Sequence, residues 1–267
     1  MFDRLSGMMW PQDAGLVPFP LTWEEAQERI AELNAEEWDG YSDWRLPTRS
    51  ELFTLVSHAR INPALPAGHL FENVFPGYYW TATSCCQYPR QAWYVHFGGG
   101  RIFRGMKHGS YLVWPVRDGL LKGEEDSGKR PSADQIRFQH REGAVLDRLT
   151  GLLWHVPALN GNGTTTWQAA LDQVKELNRR GALGYEDWRL PNVRELDSLI
   201  DPDTHSPAIY PDNPLAEALG DGYWSSTTSV YNADYSWVIY TQNGEVGVGF
   251  KANPDFNVMA VRDPKRD

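Results

Sequence analysis

The most reactive side chains in the sequence are the adjacent Cys85 and Cys86. A thiolate can serve as a nucleophile or a redox centre. A second copy of the same segment, 144 positions on, has Ser229 and Val230 there, so the unit does not require thiols. Adjacent cysteines close only a strained ring, and we read the pair as ordinary loop thiols. The seven histidines, His58, His69, His96, His108, His140, His155 and His205, form no HxH or HExxH pattern, and none recurs at that offset. Zinc is therefore not expected. Ser225-Ser226-Thr227-Thr228 and its counterpart Thr81-Ala82-Thr83-Ser84 offer hydroxyls, but no His or Asp recurs in a triad-like relation and Ala82 replaces Ser226. These read as strand residues beside Trp80 and Trp224. Asp43-Trp44-Arg45-Leu46-Pro47, repeated at 187–191, pairs an acid with an arginine. Its structural reading is the stronger: the Trp and Leu buried, the Arg of both copies buried in equivalent places, the Pro opening a helix, the Arg satisfying carbonyls or a carboxylate. Arg117-Asp118 and Arg262-Asp263 read as staples of a terminal strand. No catalytic residues and no metal ligands are assigned.

The repeat organises the chain. Asp3-Arg4-Leu5-Ser6-Gly7-Met8-Met9-Trp10 returns as Asp147-Arg148-Leu149-Thr150-Gly151-Leu152-Leu153-Trp154, Thr22-Trp23 as Thr166-Trp167, Glu51-Leu52 as Glu195-Leu196, Tyr79-Trp80 as Tyr223-Trp224, and Trp93 as Trp237. Each pair is 144 positions apart, and the offset becomes 145 by Val116-Arg117-Asp118 and Val261-Arg262-Asp263. A unit of this length is too long for a solenoid repeat and fits a duplicated domain. We divide the chain into a first repeat at 1–118, a charged Gly/Pro-containing linker at 119–135 and a second repeat at 136–267. The second copy has a lead-in, Ile136-Arg137-Phe138 through Ala144-Val145, for which the first has no room. Either the first domain lacks that strand or the chain was trimmed.

The elements that must position any site follow from periodicity. Thr22 with Glu25 forms a capping box, and Trp23, Ala26, Ile30 and Leu33 share one helical face, matched by Trp167, Ala170, Val174 and Leu177. A second helix is predicted after Pro47, capped by Thr48 with Glu51, and after Pro191 by Asn192 with Glu195. Leu52, Leu55 and Val56 (Leu196, Leu199 and Ile200 in the second copy) form its apolar side. The last third of each unit alternates as strands. Asn243-Gly244 marks a hairpin, Gly99-Gly100 takes its place in the first copy, and final strands are predicted at 111–116 and 257–261. The order is α+β.

Composition bounds the function. Of 267 residues 41% are hydrophobic and 22% charged, which supports a folded chain. The net charge of −10 argues against a general nucleic-acid binder. The first copy (3–118) has 13 acidic and 10 basic residues, and the second (147–263) has 16 and 8. A polyanion would therefore favour the first copy, through Arg90, Arg101, Arg104 and Lys107. No apolar run approaches a membrane span, and the opening ten residues carry no signal-peptide pattern.

The paired blocks DRLSGMMW/DRLTGLLW, DWRLP/DWRLP, YYWTATS/YWSSTTS and PVRD/AVRD resemble a bacterial family of domains of unknown function, typified by the C-terminal domain of the Legionella collagen-like protein. The resemblance covers residues 3–118 and 136–263. It implies two tandem C-type-lectin-like domains, each with two short helices and antiparallel strands, related to the formylglycine-generating (sulfatase-modifying) group. It implies no secure activity. It also implies an envelope or secreted setting. Enzymes of that group use cysteines, so an enzyme or enzyme remnant is one alternative function, and a structural or interaction domain of an envelope protein is another. Asn253-Pro254-Asp255 resembles the Pro-flanked carbonyl pair that lectins of this fold use for calcium and sugar. A plain turn is the preferred reading there, and no cofactor is assigned.

The favoured expectation is a non-catalytic binding protein for carbohydrate or another surface polymer. Both copies keep scaffold residues and diverge in late loops, as binding modules do. Aromatic and amide side chains in those loops suit sugar rings and hydroxyls. The candidates are Tyr88, Arg90, Arg104 and Lys107 in the first copy, and Tyr231, Asn232, Tyr235, Asn253 and Asp255 in the second.

Overall fold

The computed structural model describes residues 1–3, 6–119, 137–156, 163–216 and 219–263. The expected linker lies outside the described residues apart from Gly119. The chain divides into two compact units, Met1–Lys129 and Arg130–Asp267. In the first, chain order is β1 (Phe2–Asp3), β2 (Met8–Met9), α1 (Trp23–Ala35), α2 (Arg49–Thr54), β3 (Tyr78–Ser84), β4 (Gln91–His96), β5 (Arg101–Met106) and β6 (Arg117–Asp118). In the second it is β7 (Phe138–Arg141), β8 (Ala144–Asp147), β9 (Leu153–His155), α3 (Trp167–Arg179), α4 (Val193–Asp197), β10 (Tyr223–Thr228), β11 (Tyr235–Tyr240), β12 (Glu245–Phe250) and β13 (Val261–Arg262). Each unit is α+β: one antiparallel meander, β3-β4-β5 or β10-β11-β12, and one small antiparallel sheet joining the start of the unit to its end, β1-β2-β6 or β7-β8-β9-β13. β1 corresponds to β8, and β7 has no counterpart among the described residues of the first unit.

Local chemistry explains the helices. The Thr22 hydroxyl accepts from the Glu25 N–H and the Glu25 carboxylate accepts from the Thr22 N–H, which satisfies two otherwise orphaned donors of α1. In α3 Thr166 caps alone, because Ala169 stands where Glu25 would reach back. Ala26, Ile30 and Leu33 are buried with Trp44, Leu46, Trp80 and Val113. Their counterparts pack with Trp188, Leu190, Trp224 and Val258. Both short helices, α2 and α4, start with the expected capping boxes.

Three expectations shift. Pro47 and Pro191 precede the N-cap residues Thr48 and Asn192 and do not open the helices; a capping side chain must sit between proline and the first turn. Trp44 and Trp188 are buried, but Arg45 and Arg189 keep side chains 37% exposed, because each guanidinium reaches toward acids at the surface. The predicted strands at 111–116 and 257–261 are not ladders. Tyr111, Leu112 and Val116 bridge singly to Leu21, Tyr79 and Arg45, and Phe256, Asn257 and Val261 to Thr165, Tyr223 and Arg189. Each residue finds a different neighbour, so continuous pairing is confined to β6 and β13. Pro115 also lacks a donor.

The lead-in of the second unit carries a buried ion pair. Arg137 Nε and Nη2 donate to the two carboxylate oxygens of the fully buried Asp147 at 2.9 and 2.8 Å, and Nη2 also donates to the Ser198 carbonyl. Burial pushes the Asp147 carboxyl up, but Arg137, Thr150 and the Leu149 N–H together hold it below the usual range. Removing Arg137 strands a buried charge. We expect Arg137→Met to cost about 3–5 kcal/mol, read as a lower urea midpoint.

Asp43, Glu51 and Asp147 all sit below the ordinary carboxylate range, so each binds its proton less tightly folded than unfolded. Their contribution is complete above the unfolded values near about pH 4 and is lost as pH falls through the lower folded ones. Urea titrations should therefore show stability holding from pH 7 to about 5 and falling below that. A rise on acidification would contradict the assignment.

Candidate functional site

The candidate loop residues gather at one end of each meander. In the first unit the β3–β4 connection is closed by the Gln91 N–H on the Tyr88 carbonyl. It is tied to the segment leaving β5 by the Lys107 N–H on the Arg90 carbonyl at 2.9 Å. In the second the Tyr235 N–H closes on the Asn232 carbonyl and the Lys251 N–H donates to the Asp234 carbonyl at 2.9 Å. The two loops of each unit thus form one bonded edge, built the same way twice.

On the first edge, Tyr88 is exposed and the Arg104 guanidinium lies 5.6 Å from its ring centre and 5.6 Å from that of Trp93. Arg104 also donates to the Cys85 sulfur at 3.7 Å. Arg90 is exposed. The Lys107 ammonium sits 3.9 Å above the Trp23 ring, in cation–π contact. Tyr88 and Arg104 are therefore brought together, while Lys107 is engaged with the start of α1. Cys85 and Cys86 are not joined in a disulfide; the first is buried and the second exposed.

On the second edge, Tyr231 is 80% exposed. The Asn232 side-chain oxygen accepts from the Asp234 N–H, fixing the loop as an Asx turn. Tyr235 packs on Phe250 with ring centres 5.3 Å apart. Asn253 and Asp255 are exposed, and the Asn253 N–H turns back to the Phe250 carbonyl. Among the described residues no group of three or more His, Cys, Asp or Glu is placed to hold a metal ion. No helix there is long and apolar enough to cross a membrane.

Sequence reasoning missed one part of this edge. Lys251 stands 144 positions after Lys107, and its ammonium lies 4.1 Å from the Trp167 ring and donates to the Thr228 hydroxyl. Burial lowers its pKa, against the opposing charge of Asp234. The Trp23 and Trp167 indoles in turn donate to the Thr81 and Ser225 carbonyls. The offset alone could have matched Lys251 with Lys107. Lys107 is thereby part of the scaffold as well as of the edge.

A cleft of about 460 Å³ in the second unit, lined by Arg141, Glu142, Ala144, Leu153, Leu183 and Tyr185, includes none of the candidate residues. What the edges offer is phenol, amide and guanidinium groups held by bonded loops. Tyr231→Ala should leave thermal stability within about 0.5 kcal/mol, as for an exposed side chain. Lys251→Ala should cost about 0.5–2 kcal/mol through the lost cation–π contact. Differential scanning fluorimetry separates the two, and equal effects would deny the division between edge and scaffold.

No curated protein matches the chain significantly. The family described as the Lcl C-terminal domain matches residues 1–117 and again residues 143–262. The repeated blocks, the two α+β units and these two matches agree, and the chain belongs to the Lcl C-terminal domain family as a tandem pair.

Proposed function

We propose that this chain is a non-catalytic binding protein whose ligand is a carbohydrate or another surface polymer. One observation carries the reading. Two copies of a scaffold keep the same five-residue crossing, with its buried indole and its ion pairs, yet place different polar and aromatic side chains on the same bonded edge. Divergence in loops over a shared frame is how binding surfaces are varied. Tyrosine rings offer stacking faces, and amides and guanidinium groups offer hydrogen bonds to hydroxyls. The Cys85 thiol lies buried beneath Arg104, an arrangement that serves packing better than attack on a substrate.

The test is a glycan array probed with the full chain. We expect binding that survives EDTA. Alanine at Tyr88 and Arg90, or at Tyr231 and Asn232, should weaken it at least about tenfold, a loss of about 1.4 kcal/mol, with an unchanged thermal midpoint. Loss on chelation would bring calcium into the turn at Asn253 to Asp255. An array without any signal would remove the carbohydrate reading.

A further inference from the structure

One face of the first meander carries two rings, Tyr78 and Tyr94, where the second unit has none. Tyr78 stacks on His96 with ring centres 4.5 Å apart and planes 27° apart. Tyr94 and Tyr111 close around it at 5.1 and 5.5 Å. Even so, Tyr78 is 45% exposed. Arg101 lies directly across the β4–β5 ladder from His96 and is exposed. No carboxylate among the described residues forms an ion pair with it.

The second unit supplies an internal control. At the offset of 144, Tyr78 becomes Gly222, Tyr94 becomes Val238, His96 becomes Tyr240 and Arg101 becomes Glu245. The register is nevertheless kept: Tyr79 opposite Val95 and His96 opposite Arg101 in one unit, Tyr223 opposite Ile239 and Tyr240 opposite Glu245 in the other. The core indoles Trp80 and Trp224 are buried in both. A meander of this kind therefore forms without the exposed tyrosine and with the opposite charge at its edge. Folding does not account for Tyr78 and Arg101.

We propose that this face of the first unit, with Tyr78 as platform and Arg101 beside it, binds a carboxylated saccharide ring, and that the second unit has no equivalent site. The proposal deepens the carbohydrate reading and rests on it. A tyrosine ring presents a flat apolar face to the C–H groups of a pyranose. Phenol hydroxyls at the rim can exchange hydrogen bonds with sugar hydroxyls, and a guanidinium pairs with a carboxylate in two parallel hydrogen bonds. Burial, together with the Arg101 charge, holds the His96 imidazole below its ordinary range. At neutral pH it is thus an uncharged backing for Tyr78, which leaves Arg101 as the positive charge of the pair. Rings rimmed by hydroxyls and a guanidinium suit a polyhydroxylated acid better than an apolar peptide side chain.

The experiment is affinity electrophoresis of the full chain in gels containing alginate, polygalacturonate, methyl-esterified polygalacturonate or dextran. We expect retardation by at least one carboxylated polymer and less by the ester and by dextran. Tyr78→Gly and Arg101→Glu, which install the residues of the second unit, should each weaken it tenfold or more. Tyr78→Phe and His96→Tyr, which keep the rings, should retain it, so that loss through misfolding is told apart from loss of the platform. Equal retardation by dextran would overturn the carboxylate assignment. Binding that is insensitive to Tyr78→Gly but abolished by Tyr88→Ala with Tyr231→Ala would overturn this site and leave the carbohydrate reading standing. No retardation by any of the four, with a silent glycan array, would overturn both. Retardation lost only when a bound protein is stripped from the preparation would assign the face to a protein partner instead.

Discussion

Each unit depends on one five-residue crossing, Asp43–Pro47 or Asp187–Pro191, in which almost every polar group is committed. The Trp44 N–H and carbonyl are both held by the Asn34 side chain, at 2.7 and 2.8 Å, and its indole donates to the Trp38 carbonyl. Arg45 exchanges two backbone hydrogen bonds with Val116, while its guanidinium grips Glu51 and reaches Asp118. Asp43 takes both hydrogen bonds of the Arg117 fork, and that guanidinium lies 3.8 Å from the Tyr41 ring. The crossing thus joins the end of α1, the start of α2 and the terminal strand. Asn178, Trp188, Arg189, Glu195, Asp187, Arg262 and Tyr185 repeat the arrangement in the second unit.

Glu51 shows why such a motif cannot drift. Its Oε2 accepts from the Thr48 N–H at 2.8 Å and from Arg45 at 2.7 Å. One carboxylate closes the capping box and receives the arginine fork. Burial raises its pKa, and these partners more than reverse the effect. Replacing the carboxylate would orphan a helix donor and a half-buried guanidinium together, two losses that add to more than a surface ion pair contributes. A pair of residues that looks catalytic in sequence, an acid beside an arginine, is here occupied by structure. The acid of each crossing takes the fork of the terminal-strand arginine, Arg117 or Arg262.

The duplication made much of this legible. Capping boxes, apolar faces and the β-hairpins are local patterns, and a second copy at a fixed offset separates what the scaffold needs from what one unit happens to carry. The Asn34 and Asn178 clamps were readable in the same way, because both follow a core leucine at that spacing. The single bridges at 111–116 were not. A strand pattern states which residues are buried alternately, but not that each one will meet a different partner across the unit. Nor could sequence show that Lys107 and Lys251 lie on tryptophans more than 80 residues earlier, since a cation–π contact across the fold leaves no local period.

The edge and the Tyr78 face answer the same question differently. On the edge, the loops are bonded alike in both units and the side chains differ without pattern, so the edge does not favour one unit over the other as the place of the proposed ligand. On the meander face the difference has a direction. Exposed aromatic area and positive charge in one unit face glycine and negative charge at the same register in the other. Water solvates an exposed phenol ring poorly, and a fold that can omit the ring gains little from keeping it. On the proposed reading, duplication leaves recognition to one copy and relieves the other of it. That asymmetry follows from the register of two strands and the identity of four side chains, and it is the ground on which the proposed site is assigned to the first unit.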